Sequence, residues 1–486
     1  MKKLLESLSG LIKVIGDDAL IVKGIVADSR NDVGGKIFVA VRGVNVDGHK
    51  FVDDTVKRGV AAVVVEELPE NIDENVTYIQ VENSAVALGE LASAWFGNPS
   101  SKLKLVGVTG TNGKTTIATL IYEMARLNGY KAGLLSTVRN IVDTEEIAST
   151  HTTPDPLVLN GLLKKMVDSG CEYAAMEVSS HAAHQHRIAG LTFAGGIFTN
   201  LTRDHLDYHK TVEAYIAAKK SFFDSLGKDA FALTNIDDKT GDFMLQNCAA
   251  RKFTYSLRRP ADFVGRIIEQ RLDGTLISFN RNEVETMFTG RFNAYNLTAL
   301  YGASLLLGWN TEKVLLGMSR LVPVAGRFQT VRSPRRGYTA IIDYAHTPDA
   351  LVNVINTIRE VVGNTANIIT VVGAGGNRDH GKRPIMAREA AKLSDRLILT
   401  SDNPRDEEPR SIIKDMEAGL DTPKLKAKSL RVTDRAEAIR VATAFARRGD
   451  VVLIAGKGHE TYQEIKGVRY PFDDLIEIRN VFENEI

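Results

Sequence analysis

Short apolar runs separated by turn formers open the chain: KGIVADSR, KIFVAVRG, AAVVVEE and VTYIQVEN, spread over residues 23–83. Their length and β-branched content predict strands. A helix-spaced stretch from Ala85 to Phe96 follows, and FGNPSSK (Phe96–Lys102) is dense in turn formers, which marks a linker. The first residues, MKKLLESLSGLIKVIG, mix apolar and polar positions without a small-residue cleavage site and predict a short amphipathic helix rather than a signal peptide.

From Leu103 the pattern changes. KLVGVT leads into a glycine loop, then TTIATLIYEMARLNG has helical spacing and a terminal glycine. YAAMEVSS, GGIFTNL and FALTNID continue the alternation, the pattern of a parallel sheet with helices on both faces. VPVAGRFQ (Val322–Gln329) is a second boundary. Beyond it TAIIDYAH, NIITVVGAGG, DRLILTSDN and DVVLIAGKG read as four more strands, each ending in glycine or polar residues. Ligands of open parallel sheets bind beyond the strands' carboxyl ends, so these ends are expected to share one rim. The expected fold class is α/β in three domains. These are a small N-terminal domain (1–100), a central P-loop ATPase-like parallel sheet (101–325) and a C-terminal Rossmann-like domain (326–486).

A formal net charge of +1 lacks the basic excess of a nucleic-acid surface. The two cysteines, Cys171 and Cys248, are far apart, against a disulfide framework or zinc ribbon. No apolar run reaches the ~18 residues of a membrane span. A soluble, cytoplasmic monomer is the expectation.

VTGTNGKTT (Val108–Thr116) carries the first chemistry. Glycines turn backbone N–H groups inward, Lys114 supplies a point charge and Thr115 a hydroxyl suited to Mg²⁺. The general pattern G-x-x-x-x-G-K-[ST] would need glycine at 108, where valine stands; the loop is a variant placed correctly between strand and helix. TNIDD (Thr234–Asp238) lacks the lysine of a guanine-binding motif, and the protein-kinase signatures are missing. His181, His184 and His186 are close together, but no fourth ligand cluster favours zinc.

In order along the chain stand ADSR, GTNGKTT, TTPDP, MEVSSHAAHQHR, FTNLTRDHLDYH, AAKKSFF, GRFNAYN, AGRFQ, DYAHTPD, GAGGNRDHGKRP, SDNPRDEEP and AGKGHE. This set resembles the Mur ligase family over nearly the whole chain. Those ATP-dependent amide-bond synthetases build the peptide of bacterial cell-wall precursors; folate polyglutamate synthetases are relatives. The resemblance implies conversion of a carboxylate to an acyl phosphate, which an amine then attacks. Divalent metal and fixed cations would offset the repulsion among the anionic groups.

The resemblance also assigns residues. Gly110, Thr111, Asn112, Gly113, Lys114, Thr115 and Thr116 would hold the ATP phosphates. Asn293 and Asn296 would face adenine, and Arg327, Asp343 and His346 would reach the nucleotide from the third domain. Thr115, Glu177, His205 and Lys219 would serve two Mg²⁺, with Lys219 carrying a CO₂-derived carbamate; from the residues alone, a Lys–Lys pair reads as a solvated helix face. Lys114, Glu177, His205 and Lys219 form the expected catalytic set. Ser29 and the turn Arg42–Phe51 match the uridine-diphosphate region. Thr152, Thr153, Ser179, Gln185 and Arg187 would contact UDP-N-acetylmuramoyl-L-Ala-D-Glu.

HAAHQHR and DNPR point within the family to addition of meso-diaminopimelate. Asp402, Asn403, Pro404 and Arg405 would receive it, with Arg378, Gly456 and Glu460. Arg405 can grip the distal carboxylate with two parallel hydrogen bonds; lysine has no such group. A folylpolyglutamate-type ligase and a non-catalytic nucleotide-binding protein are the alternatives, disfavoured by the N-terminal domain with DNPR and by the catalytic set respectively.

Overall fold

A computed structural model describes the chain except residues 44, 45, 150, 203–205 and 486 and the side chains of Leu206 and Asp207. Two compact units result: residues 1–264 with 296–317, and residues 265–295 with 318–486.

The first unit holds two sheets. The N-terminal one contains β1 (Leu11–Ile15), β2 (Ile25–Val26), β3 (Ile37–Val39), β4 (Ala62–Val65) and β5 (Thr77–Val81), in the order β1-β5-β4-β3-β2. The strand β1 corrects the amphipathic-helix expectation. Only Lys2–Leu5 is helical, and Leu11–Ile15 pairs antiparallel with β5. Gly10 interrupts the helical pattern, and the β-branched residues of LIKVI suit an edge strand. Asn83 caps the helix Ser84–Trp95, accepting from Ala85 N and Val86 N.

The central sheet is built on β6 (Lys104–Thr109), β7 (Ala132–Leu135), β8 (Asn140–Val142), β9 (Glu145–Ile147), β10 (Tyr173–Glu177), β11 (Gly195–Phe198), β12 (Phe231–Asn235) and β13 (Arg251–Ser256). Its order is β13-β12-β11-β6-β10-β7-β8-β9. The run from β13 to β7 is parallel, as expected; β8 and β9 add an antiparallel edge. β6 lies in the middle, flanked by β10 and β11, and its residues 105–109 are buried. The loop that follows therefore starts from a rigid support.

β14 (Phe263–Arg271) begins beside β13 and continues into an antiparallel meander with β15 (Gly274–Phe279) and β16 (Asn282–Thr286) in the second unit. That unit's main sheet contains β17 (Gln329–Arg332), β18 (Thr339–Asp343), β19 (Ile368–Ala374), β20 (Arg396–Ser401), β21 (Ser429–Arg431) and β22 (Val451–Ala455), in the order β17-β18-β22-β19-β20-β21. β18, β22, β19 and β20 are consecutive parallel neighbours. Their carboxyl ends thus lie along one edge, as the strand-end residues suggest. Apolar clusters fill both faces; Ile341, Val372, Leu399 and Leu453 serve one, and Ile342, Val371, Ile398 and Val452 the other. The alternation follows from the two-residue period of a strand. β23 (Tyr462–Ile465) and β24 (Val468–Pro471) form a small hairpin.

Candidate active site

The phosphate loop leaves β6 at Thr109 and enters the helix Lys114–Leu127 through Gly113. The first N–H groups of that helix have no intrahelical acceptor, and the helix dipole favours an anion there. Lys114 Nζ folds back over the loop, donating to Gly110 O (2.9 Å) and Thr111 O (2.8 Å). The strand-end residues after β11 brace the loop from beside it. Thr111 N donates to Asn200 O (2.8 Å), Asn112 N to Asn200 Oδ1 (3.0 Å), and Thr199 Oγ1 to Asn112 O (2.6 Å). Gly110 has φ +149°, and a Cβ built there would lie 1.8 Å from Thr199 Oγ1. Glycine is required by this close approach. Asn296 also reaches the loop: its Oδ1 would lie 2.5 Å from a Cβ on Gly113.

Lys219 is 1% exposed, so the solvated-face reading of the Lys–Lys pair is wrong. The helix Val212–Asp224 turns it inward, where Nζ donates to Gly110 O (2.8 Å) and lies 4.7 Å from the Tyr215 ring centre. Tyr215 OH in turn meets Thr111 Oγ1 at 3.0 Å. A buried amine touching the phosphate loop is chemically placed to bear on the nucleotide, since desolvation makes lysine a tunable group.

Glu177, 1% exposed, ends β10 opposite Val108 in register. Thr137 N donates to its Oε1 (2.7 Å), leaving Oε2 as an acceptor suited to a divalent cation. The neighbouring residues converge. Thr153 Oγ1 donates to Glu177 O (2.8 Å), Ser179 N donates to Thr153 Oγ1 (3.2 Å), and Thr137 Oγ1 meets Thr152 Oγ1 at 3.0 Å. Arg187 donates to Thr153 O (2.8 Å) and, through Nε and Nη2, to Gln185 Oε1 (3.0 and 2.7 Å). Burial pulls the Arg187 pKa down, the electrostatic cost of holding a cation away from water. His205 lies outside the described residues. The described residues contain no cluster of three or more His, Cys, Asp or Glu side chains able to hold a metal.

In the second unit, Asp343 closes β18 and accepts from Phe328 N (2.7 Å) and Ala345 N (2.8 Å). Burial pushes its carboxyl up, against the pull of Arg327 and these amides. Arg327 stacks 4.6 Å over the Tyr344 ring, and Tyr344 contacts both His346 and His459. His346 Nδ1 lies 2.8 Å from Tyr344 O. Arg327, Asp343 and His346 thus gather at one strand end. Asn293 is 3% exposed and its Nδ2 donates to Thr289 O (2.9 Å).

Asp402–Arg405 follows β20 and meets the loop after β19. Gly376 N donates to Asn403 O (2.9 Å), and a Cβ on Gly376 would lie 1.9 Å from Pro404 O. Arg405 occupies the left-handed region (φ +51°), rare for a side-chain-bearing residue, and its Nη1 donates to Gly376 O (2.8 Å). Lys457, fully buried, donates to Asn403 Oδ1 and Glu460 Oε2, each at 3.1 Å; Asn403 Nδ2 donates to Glu460 Oε2 (2.7 Å). Gly456 follows β22, and Asp402 Oδ2 would lie 2.6 Å from a Cβ built there. Beneath the loops, fully buried Arg383 donates to Glu407 through both terminal nitrogens (2.8 Å each), to Asp415 (2.8 Å) and to Gly375 O (3.2 Å). This guanidinium holds the Glu407 carboxyl down at about 2. Arg378 is exposed on the first of the two loops.

Ser29 stands in the first unit's turn after β2, its carbonyl accepting from Arg58 Nη1. In the turn Arg42–Phe51, residues 44 and 45 lie outside the described residues; Arg42 pairs with Glu66 (3.2 Å) and Glu67 (2.7 Å). Sequence reasoning missed Thr137, Tyr215, Arg383 and Lys457. The last two stand inside GKRP and AGKGHE, where burial could not be read; Thr137 carries no local signal.

Three family models cover the chain: Mur ligase family, catalytic domain (residues 21–96), Mur ligase middle domain (108–304), and Mur ligase, glutamate ligase domain (326–458). A Phocaeicola vulgatus protein named UDP-N-acetylmuramoyl-L-alanyl-D-glutamate–2,6-diaminopimelate ligase is 59% identical, over 97% of each chain. A Bacteroides fragilis protein of the same name is 57% identical over 99% of each. Among solved structures, one of a ligase so named aligns with TM-score 0.69 at 33% identity, covering 96% of this chain and 97% of that one. A Thermotoga maritima folylpolyglutamate synthase shares the fold alone, with TM-score 0.60 at 15% identity over 77% and 90%. The three-domain α/β architecture, the phosphate loop and these near-complete alignments agree: the chain belongs to the Mur ligase family of ATP-dependent amide-bond ligases.

Proposed function

We propose that this chain adds meso-diaminopimelate to UDP-N-acetylmuramoyl-L-Ala-D-Glu, forming ADP and phosphate, as a monomer in the cytoplasm. The observation that most supports the choice of amino acid is Arg405. Its guanidinium stands on a strand-end loop held by the loop after β19 and by the β23 segment, matching a substrate that ends in a carboxylate. The relatives named above, which share nearly the full chain, carry that substrate in their names.

The first residues to act are those of the phosphate loop, which hold ATP with its γ-phosphoryl group against the acceptor carboxylate. Transfer forms a mixed anhydride and releases ADP. The amine of the diamino acid attacks the acyl carbon, the C–O bond to phosphate breaks, and the amine gives up its proton. Lys114 and the helix amides offset the charge on the phosphoryl oxygens. Thr152, Thr153, Ser179, Gln185 and Arg187 orient the muramoyl dipeptide; Ser29 holds its uridine end. Asn293, Asn296, Arg327, Asp343 and His346 serve the nucleotide. Mg²⁺ would be held by Thr115, Glu177 and His205 with a carbamate on Lys219, supplying positive charge to the phosphoryl group. Glu177, whose second carboxylate oxygen meets no hydrogen-bond donor among the described residues, and buried Lys219 fit that assignment. Asp402, Asn403, Pro404, Arg405, Arg378, Gly456 and Glu460 receive the amino acid.

The test is phosphate release from ATP, Mg²⁺ and the muramoyl dipeptide, with meso-diaminopimelate or L-lysine as amine. Release should require an amine and be strong with diaminopimelate alone. Equal release with lysine would remove the Arg405 assignment and keep the ligase.

A further inference from the structure

Arg405 does not stand alone at its rim. The segment Asp402–Arg405 runs beside β23. Gln463 Nε2 donates to Asp402 O (2.7 Å), Glu464 N to Asn403 Oδ1 (3.0 Å), Arg405 N to Glu464 O (3.0 Å) and Lys466 N to Arg405 O (2.7 Å). This lacing holds Arg405 in its left-handed conformation and sets Glu464 next to it. Glu464 Oε2 lies 3.7 Å from Arg405 Nε, with the two side chains 25% and 23% exposed. At that distance the contact is an ion pair without a hydrogen bond. Among the described residues no donor lies within hydrogen-bond distance of the Glu464 carboxylate, whereas Glu460 Oε2 already accepts from Lys457 and Asn403.

We propose that Glu464 is a specificity-determining residue whose carboxylate takes the ammonium on the same carbon as the carboxylate bound by Arg405. The inference rests on the reading of Arg405 above. A guanidinium and an underused carboxylate, side by side and partly shielded from water, complement a carbon bearing both charges. The pair is formally neutral, so an end bearing only an amine leaves Arg405 unmet, and one bearing only an acid leaves Glu464 unmet. Arg405 alone would reject lysine; the pair also rejects an acid that lacks the distal amine.

The experiment compares kcat/KM for meso-diaminopimelate and for (S)-2-aminopimelate, the same carbon chain without the distal amine, using the full chain with ATP, Mg²⁺ and the muramoyl dipeptide. Glu464→Gln keeps the shape and removes the charge. It should lose about tenfold toward diaminopimelate and change by less than about twofold toward aminopimelate, so the preference collapses by about that tenfold. Equal losses on both substrates, the signature of a purely structural role through the lacing, overturn the proposal, as does an unchanged preference. Arg405→Ala separates the two levels. If it leaves the KM for diaminopimelate unchanged, the Arg405 reading fails and Glu464 with it. If it raises that KM while Glu464→Gln keeps the preference, only the Glu464 proposal fails.

Discussion

The phosphate loop and the Arg405 rim both lie beyond the carboxyl ends of parallel strands, yet they are made of different materials. The first is mostly backbone: amides at a helix start, a glycine with no room for a methyl group, and carbonyls that seat Lys114 and Lys219. The second is mostly charged side chains, with Arg383 held by two carboxylates beneath and Arg405 underused above. A backbone cradle suits phosphate, which every family member must bind. A side-chain rim would suit the amino acid proposed for it, because side chains can change without altering the fold.

The contrast can be broken or sharpened by substitution. Lys219→Ala should cost on the order of 10³-fold in phosphate release and recover in part when short carboxylates are added; full activity without additive would separate Lys219 from the chemistry. Arg383→Ala leaves two partly exposed carboxylates without their guanidinium and should cost about 1–3 kcal/mol of stability by denaturant titration, while Arg405→Ala leaves the midpoint nearly unchanged. Gly110→Ala should lower kcat about 100-fold with little change in the KM for diaminopimelate. Arg405→Ala should do the reverse, raising that KM about 10–100-fold and sparing the KM for ATP; equal changes in both constants would erase the division between cradle and rim.

The smallest effect concerns pH. Burial, aided by Arg327 and Lys457, holds the His459 imidazole down at about 4, against 6.5 for the free group. Between these values the unfolded chain takes up a proton that the folded chain refuses, so stability falls as pH drops from 6.5 to 4. His459→Gln should flatten the decline of Tm across that window.

Much of the architecture was legible because strand and helix periods are local. The loop after β6 announced itself by composition, and the four strand ends of the second unit could be aligned from their terminal residues alone. β1 was not legible, since Leu11–Ile15 has its partner about 63–70 residues away in β5. The meander β14–β16 gave no motif at all. In the candidate site, the family resemblance marked Arg405 and Glu177, but burial decides what a charge does. Nothing local distinguishes Lys219, inside and against Gly110 O, from Lys220, which pairs with Asp224 at 2.6 Å.

The chain passes between its two compact units at residues 264/265, 295/296 and 317/318. Neither unit is therefore a contiguous cassette. A chimaera that imports only residues 318–486 from another family member, to change the amino acid added, would leave the host's β14–β16 segment to complete a foreign body. Recombination should succeed more often when residues 265–295 travel with it.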